Sequence, residues 1–423
     1  MNKNTTKPFL FLLIFCSLAT TIFAQKTFST KGELHTEKYA ALDEIFFDYQ
    51  IFKLNSGEIK TFLLENQSRG EVNLELSDKL SWTFFFEPAN MMGGNLTTDV
   101  WDGEKIVKVT RAFDPTFKGV SNQGELLRFT IDENYFSGSI KSKKQEYIIQ
   151  PLRDFVPSAD ASQVVVFNVK NVKPQQLGKC CLEEIHQKTS NLHKKVLQNS
   201  ANKTPLACYE VGIAACTDFS FYQKYGSNVT TAQNRVLTIL NLVEGDYATA
   251  FTHNLKMVVV RWFNSTSSVE PWSATTDSGT LLDEFRVWGN ANLTGAPTFD
   301  IGQLWTNRSF NSSVIGIAFV GAVCTSFKYQ CLEDFTTGTN LMRVMVSHET
   351  GHSFNCNHDA SGSMTIMAPS VSNTTTWSAA SVTSVNTYLP SVIGSTCLTV
   401  CPGTPAPAAS FTISPNQIGR AHV

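Results

Sequence analysis

Between residues 25 and about 176 the chain alternates apolar and polar positions over short stretches. Glu71-Val72-Asn73-Leu74-Glu75-Leu76, Leu126-Leu127-Arg128-Phe129-Thr130-Ile131 and Tyr147-Ile148-Ile149-Gln150 are examples. Turn-forming stretches at 92–95 and 132–134 separate them. A period of two predicts strands with one buried face, so this region reads as an antiparallel β module. Beyond residue 205 the period changes. Apolar stretches at 206–217, 255–263 and 299–305 predict buried strands. Stretches at 230–247 (Val236, Leu237, Ile239, Leu240, Val243) and 279–290 (Leu281, Leu282, Phe285, Val287) carry the spacing of amphipathic helices. A further strand is predicted over 314–320, interrupted by Gly316, and helices over 340–354 and 378–389. The β-α-β-α-β order predicts an α/β (α+β) domain with a mostly parallel twisted sheet, preceded by the β-rich region.

Composition narrows the class. The 423 residues suffice for two or three domains, and 42% apolar residues suffice for ordinary cores. A net charge of −2 gives no case for nucleic acid or an anionic membrane as partner. Residues 1–24 read as a secretory signal, with Lys3 and Lys7, an apolar run over 9–23, and Ala24 before Gln25. That run is too short for a membrane span. A lipoprotein reading of Cys16 is disfavoured by the bulky Phe15 before it. An exported chain makes its nine remaining cysteines disulfide candidates, and the odd count leaves at least one outside intramolecular pairs.

The chemistry concentrates in one stretch. On the predicted helix 340–354, His348 and His352 lie four residues apart and so share a face, with Glu349 beside them. This is H-E-x-x-H, in which two histidines bind zinc and the glutamate is general base for a metal-activated water. His358 offers a third nitrogen if the chain leaves the helix near Asn355 and turns back. Three neutral histidines would leave a fourth position on one Zn2+ ion for water. A structural calcium ion is not indicated.

The longer pattern, with Asp359 after the third histidine and Ile366-Met367-Ala368-Pro369 downstream, resembles the metzincin metallopeptidases of the reprolysin (adamalysin) branch over roughly 206–401. One position departs from the family pattern: Asn355 stands where a glycine lets the backbone turn at positive φ, and Asn tolerates that region next best. The resemblance implies a secreted, monomeric zinc endopeptidase (hydrolase) acting on protein or peptide substrates. Substrate would lie extended along an edge strand at Gly316, Ile317 and Ala318. Met367 would form the apolar Met-turn floor, with Met364 as its rival, and Cys324 would pair with Cys397. The run 136–152 resembles the pro-segment of such zymogens; an independent β-sandwich with a binding role is the other reading. Within that resemblance Cys180 or Cys181 would ligate the metal and hold the enzyme latent, a role that competes with a structural disulfide or a spare thiol.

The expected division is therefore a signal peptide (1–24), a β-rich pro-segment with an activation linker containing Lys194-Lys195 (25–204), a metallopeptidase domain (205–401), and a Pro/Ala linker opening a truncated PKD-like domain (402–417). Residues 418–423 read as the translation of a sequencing adapter, which removes His422 from the ligand candidates. The competing function is a catalytically degenerate secreted adhesion or matrix-binding protein, for which Asn355 is the only sequence support.

Overall fold

The structure, a computed structural model, describes residues 26–93, 96–111, 113–174, 178–180, 207–394 and 397–403. The stretch expected to be a signal peptide, Cys181, the expected linker through 204 with Lys194-Lys195, and the stretch from 404 to 423 lie outside the described residues.

The first unit begins with β1 (Thr27–Lys31), β2 (Glu33–His35), α1 (Ala40–Ile45), β3 (Gln50–Lys53), α2 (Ser56–Glu65), β4 (Gly70–Ser77) and β5 (Leu80–Pro88). A hairpin of β6 (Thr97–Trp101) and β7 (Ile106–Thr110) follows, then β8 (Thr116–Ser121), β9 (Leu126–Asp132), β10 (Tyr135–Lys141), β11 (Glu146–Pro151), β12 (Gln163–Asn168) and the two-residue β13 (Lys179–Cys180). Ten of these strands form one sheet in the order β1-β4-β5-β8-β9-β10-β11-β12-β3-β2. Alternation sets its inner face. Val72, Leu74 and Leu76 of β4 and Trp82, Phe84 and Phe86 of β5 point inward, where they meet Phe117, Phe129 and Phe136. Helix α2, capped by the Asn55 side chain on Glu58 N, lays Ile59 and Leu63 on that face. All pairs in this sheet are antiparallel except β1 with β4.

The second unit comprises β14 (Cys208–Thr217), α3 (Phe219–Lys224), α4 (Val229–Tyr247), β15 (Asn254–Ser265), α5 (Ser278–Asn292), β16 (Ile301–Thr306), β17 (Val314–Ala318), β18 (Tyr329–Glu333), α6 (Thr339–Ser353), α7 (Ala379–Val392) and β19 (Thr399–Val400). Strand β14 is central and parallel to β15 and β16; β16 is parallel to β18, and β17 is antiparallel to β18. Helices α4 and α6 cover one face through Val236, Ile239, Leu240, Val243, Met342 and Met345. Helix α5 covers the other with Leu281, Leu282 and Phe285. Two disulfides, Cys208–Cys401 and Cys324–Cys397, tie the segment after α7 to the start of β14 and to the loop after β17.

Two features depart from the sequence expectation. Strand β18 was not anticipated, because Tyr329-Gln330-Cys331-Leu332-Glu333 has no clean period. The stretch at 92–95 has the composition of a turn, yet Met92 pairs with Val259 of β15, Gly93 N donates to Val259 O (2.9 Å), and Val259 N donates to Met91 O (2.6 Å). The β6–β7 hairpin then extends the second sheet, with β6 parallel to β15, so that sheet crosses the boundary placed at 204.

Helix α4 lies between the two units and is buried nearly all round. Its polar side chains find partners in the first unit. Asn241 Nδ2 donates to the Phe117 and Phe129 carbonyls at 3.1 and 3.0 Å, Glu244 pairs with Arg128, and Thr238 meets the Tyr135 hydroxyl at 3.1 Å.

Candidate metal centre

Helix α6 places His348, Glu349 and His352 in the interior, all nearly fully buried. The helix then ends abruptly. Asn355 takes φ = +71°, Asn355 N donates to His352 O (2.8 Å), and Cys356 N donates to Gly351 O (2.9 Å). This pair of bonds is a Schellman end with Asn at the left-handed position. The turn carries the chain back so that His358 Nε2 lies 3.2 Å from His352 Nε2.

Backbone carbonyls settle two tautomers. His348 Nδ1 lies 2.7 Å from Ile366 O, and His352 Nδ1 lies 2.8 Å from Cys356 O. A carbonyl only accepts, so each Nδ1 carries the proton and each Nε2 presents a lone pair inward. Burial, with His358 adding to it, pushes the His348 imidazole down to about 3, which keeps it neutral. His348 Nε2 is buried without a hydrogen-bond partner among the described residues. Two inward lone pairs, with the His358 ring beside them, suit a cation placed between them.

A fourth donor completes the set. Cys180 Sγ lies 3.4 Å from His352 Nε2, and the ligand atoms of Cys180, His348, His352 and His358 all fall within 4.8 Å of one another. A tetrahedral zinc with bonds of about 2.0 Å to nitrogen and 2.3 Å to sulfur separates its donors by roughly 3.3–3.6 Å. The donor types, their spacing and the orphaned His348 nitrogen all fit that ion. Cys181 lies outside the described residues, so of the two adjacent thiols only Cys180 has a described position.

Cys180 arrives there by strand addition. β13 pairs in parallel with β17, Lys179 opposite Val314 and Cys180 opposite Gly316. On its other side Lys179 bridges to Ser370, and Cys180 N donates to Pro369 O (3.0 Å). The segment thus fills the groove between the edge strand, where Gly316, Ile317 and Ala318 lie, and the wall formed by 369–370. Gly316 is required sterically: a Cβ there would sit 2.5 Å from Glu349 Oε1. Burial raises the Glu349 carboxyl to about 8, and the Cys180 thiol draws it partly back.

Met367 is fully buried beneath α6, and a Cβ on Gly351 would lie 2.6 Å from its sulfur. Met364 is 65% exposed and forms no floor. Asp359 anchors the His358 loop: Oδ2 accepts from Thr365 Oγ1 (2.6 Å), Oδ1 accepts from Ser378 Oγ (2.6 Å), and its N–H donates to Met367 O (2.8 Å). Sequence reasoning missed the two carbonyl acceptors, since a backbone oxygen carries no side-chain signal. It also missed Arg343 of α6, which is buried against Glu146 of β11 (3.1 Å) and Asp246 of α4 (3.6 Å).

A helix-borne histidine pair and a returning third histidine, with a buried carboxyl beside them, form a group that could hold a metal ion. Residues 208–390 match the model of metallo-peptidase family M12, of the reprolysin type. The chain is also similar to a zinc metalloproteinase-disintegrin-like protein of Cerberus rynchops, at 27% identity over 236 residues, which cover 54% of this chain and 37% of that protein. The alignment thus spans little more than a third of that relative's length. The 208–390 segment is a reprolysin-like metallopeptidase domain. No helix among the described residues is long and apolar enough to cross a membrane.

Proposed function

We propose that this chain is the latent form of an exported, monomeric zinc endopeptidase, with residues 26–180 as its pro-segment. The observation that carries the reading is the convergence of three histidine Nε2 atoms and the Cys180 thiol on one point beside a buried Glu349. His348, His352 and His358 would hold the ion, and Cys180 would occupy the position that water takes in the active enzyme. When bound, zinc supplies a Lewis acid that acidifies a water and polarises the scissile carbonyl.

The chain's own groups do the rest. With Cys180 withdrawn, Glu349 accepts the proton of the attacking water at a carboxylate oxygen and returns it to the leaving amine. A protein or peptide substrate would replace β13 against β17, its backbone pairing at Gly316, Ile317 and Ala318 and its side chains facing the 369–371 wall. Asp359 and Met367 keep the His358 loop and the floor of the site in register. The Asn355 departure does not favour the degenerate reading, because the Schellman turn forms with Asn in place.

The test is purified protein assayed for zinc content and casein cleavage before and after the pro-segment is cut away and removed. One zinc per chain, with chelator-sensitive cleavage only after its removal, is expected. Cleavage that ignores the chelator would overturn the reading.

A further inference from the structure

Residues 89–110 lie well before the catalytic segment that begins at Cys208, yet by packing they belong to it. Ala89, Met91 and Leu96 are buried in the same core cluster as Val211, Ile213, Val236 and Met257. Strand β6 extends the catalytic sheet beyond β15, pairing Thr98, Asp99, Val100 and Trp101 with Trp262, Phe263, Asn264 and Ser265. Trp101 Nε1 donates to Val269 O (2.6 Å), Thr266 N donates to Trp101 O (2.8 Å), and Gln233 Nε2 of α4 donates to Thr98 Oγ1 (2.8 Å). The strand order β13-β17-β18-β16-β14-β15-β6-β7 puts pro-segment strands at both ends of one sheet. One end is the metal cleft. The other is the opposite edge.

We propose that the Met91–Trp101 strand addition is an anchor independent of Cys180, which keeps the pro-segment bound after the 181–206 linker is cut. Backbone pairing along β15 and three buried apolar side chains survive that cut, since none lies in or near the linker. Cys180 then faces the metal from a segment still attached to the same body. Its effective concentration stays high and latency outlasts cleavage. Loss of the pro-segment requires a further event, such as digestion of the first unit. The inference rests on reading 26–180 as a pro-segment. Its readout is binding, so a failure of the catalytic reading leaves it standing or falling by itself.

The experiment uses the full chain with a sequence-specific protease site inserted at 190–200, in a Glu349→Gln background that blocks self-digestion. After cutting, the two halves are expected to co-elute on gel filtration at submicromolar concentration, with and without the additional Cys180→Ala change. Trp101→Ala should weaken their association by about thirtyfold, the order expected for an anchoring tryptophan. Should that variant fold poorly, hydrogen exchange on the otherwise unaltered cut protein gives the second measurement: the amides of 262–265 should stay as slow as in the uncut chain. Separation of the halves on cutting, separation caused by Cys180→Ala alone, or fast exchange at 262–265 would each overturn the proposal.

Discussion

Asn355 holds a backbone angle that most residues avoid, and the third histidine depends on it. Its φ of +71° lies where Gly is free and Asn is the best-tolerated side chain. Asn355→Gly is therefore expected to retain zinc and shift stability by less than about 1 kcal/mol, whereas Asn355→Val should cost about 1–3 kcal/mol and lower zinc content, read by thermal melts and metal analysis. Glu349→Gln should retain zinc and lose turnover by about two to four orders of magnitude, the range for a lost general base, in a peptide assay of the enzyme freed of its pro-segment. His358→Ala should lower zinc stoichiometry; an unchanged ratio removes it from the ligand set. Gly316→Ala brings a methyl within 2.5 Å of Glu349 Oε1, so kcat should fall with zinc unchanged. At this scale the site was largely legible. Four-residue spacing puts His348 and His352 on one face whatever the surrounding fold, and Asn355 announces a left-handed turn by its own chemistry. The Ile366 and Cys356 carbonyls that fix the ring tautomers were not legible, because any residue supplies a carbonyl.

Local periodicity also carried α4, α5, α6 and α7, each found within a few residues of its expected span. It did not carry β18, which is buried along its whole length and so shows no alternation. Nor could it carry β13, two residues long, whose partners Val314, Gly316 and Ser370 lie far along the chain. That element brings one of the adjacent thiols to the histidines: Cys180 pairs opposite Gly316, and its sulfur lies 3.4 Å from His352 Nε2. Cys180→Ala in the uncut chain should raise residual peptidase activity without changing the linker. If it leaves the uncut chain as silent as before, the strand itself blocks the groove and the thiol adds little.

Across the whole molecule the two units meet through polar groups as much as apolar ones. Arg343 with Glu146, Arg128 with Glu244, and Asn241 with two strand carbonyls all cross the boundary. Pairings between such distant positions are invisible to a window of local pattern. The same holds for Cys208–Cys401, which joins positions 193 apart in sequence. Closing so long a loop is worth about 5 kcal/mol in the chain-entropy picture, so Cys208→Ser should lower the melting temperature more than any single surface change. The hairpin at 97–110 has a further consequence, for the order of events during synthesis. Trp101 and its acceptor at Val269 are 168 residues apart. At roughly 5–20 residues per second, the hairpin is made about 7–30 seconds before its partner strand begins. Ile106, Val107 and Val109 stay exposed on its outer strand even in the finished protein. The newborn chain therefore carries the edge hairpin of a sheet whose remaining strands are not yet made. A 207–403 fragment refolded without it should regain structure more slowly, and adding residues 26–180 in trans should restore the rate.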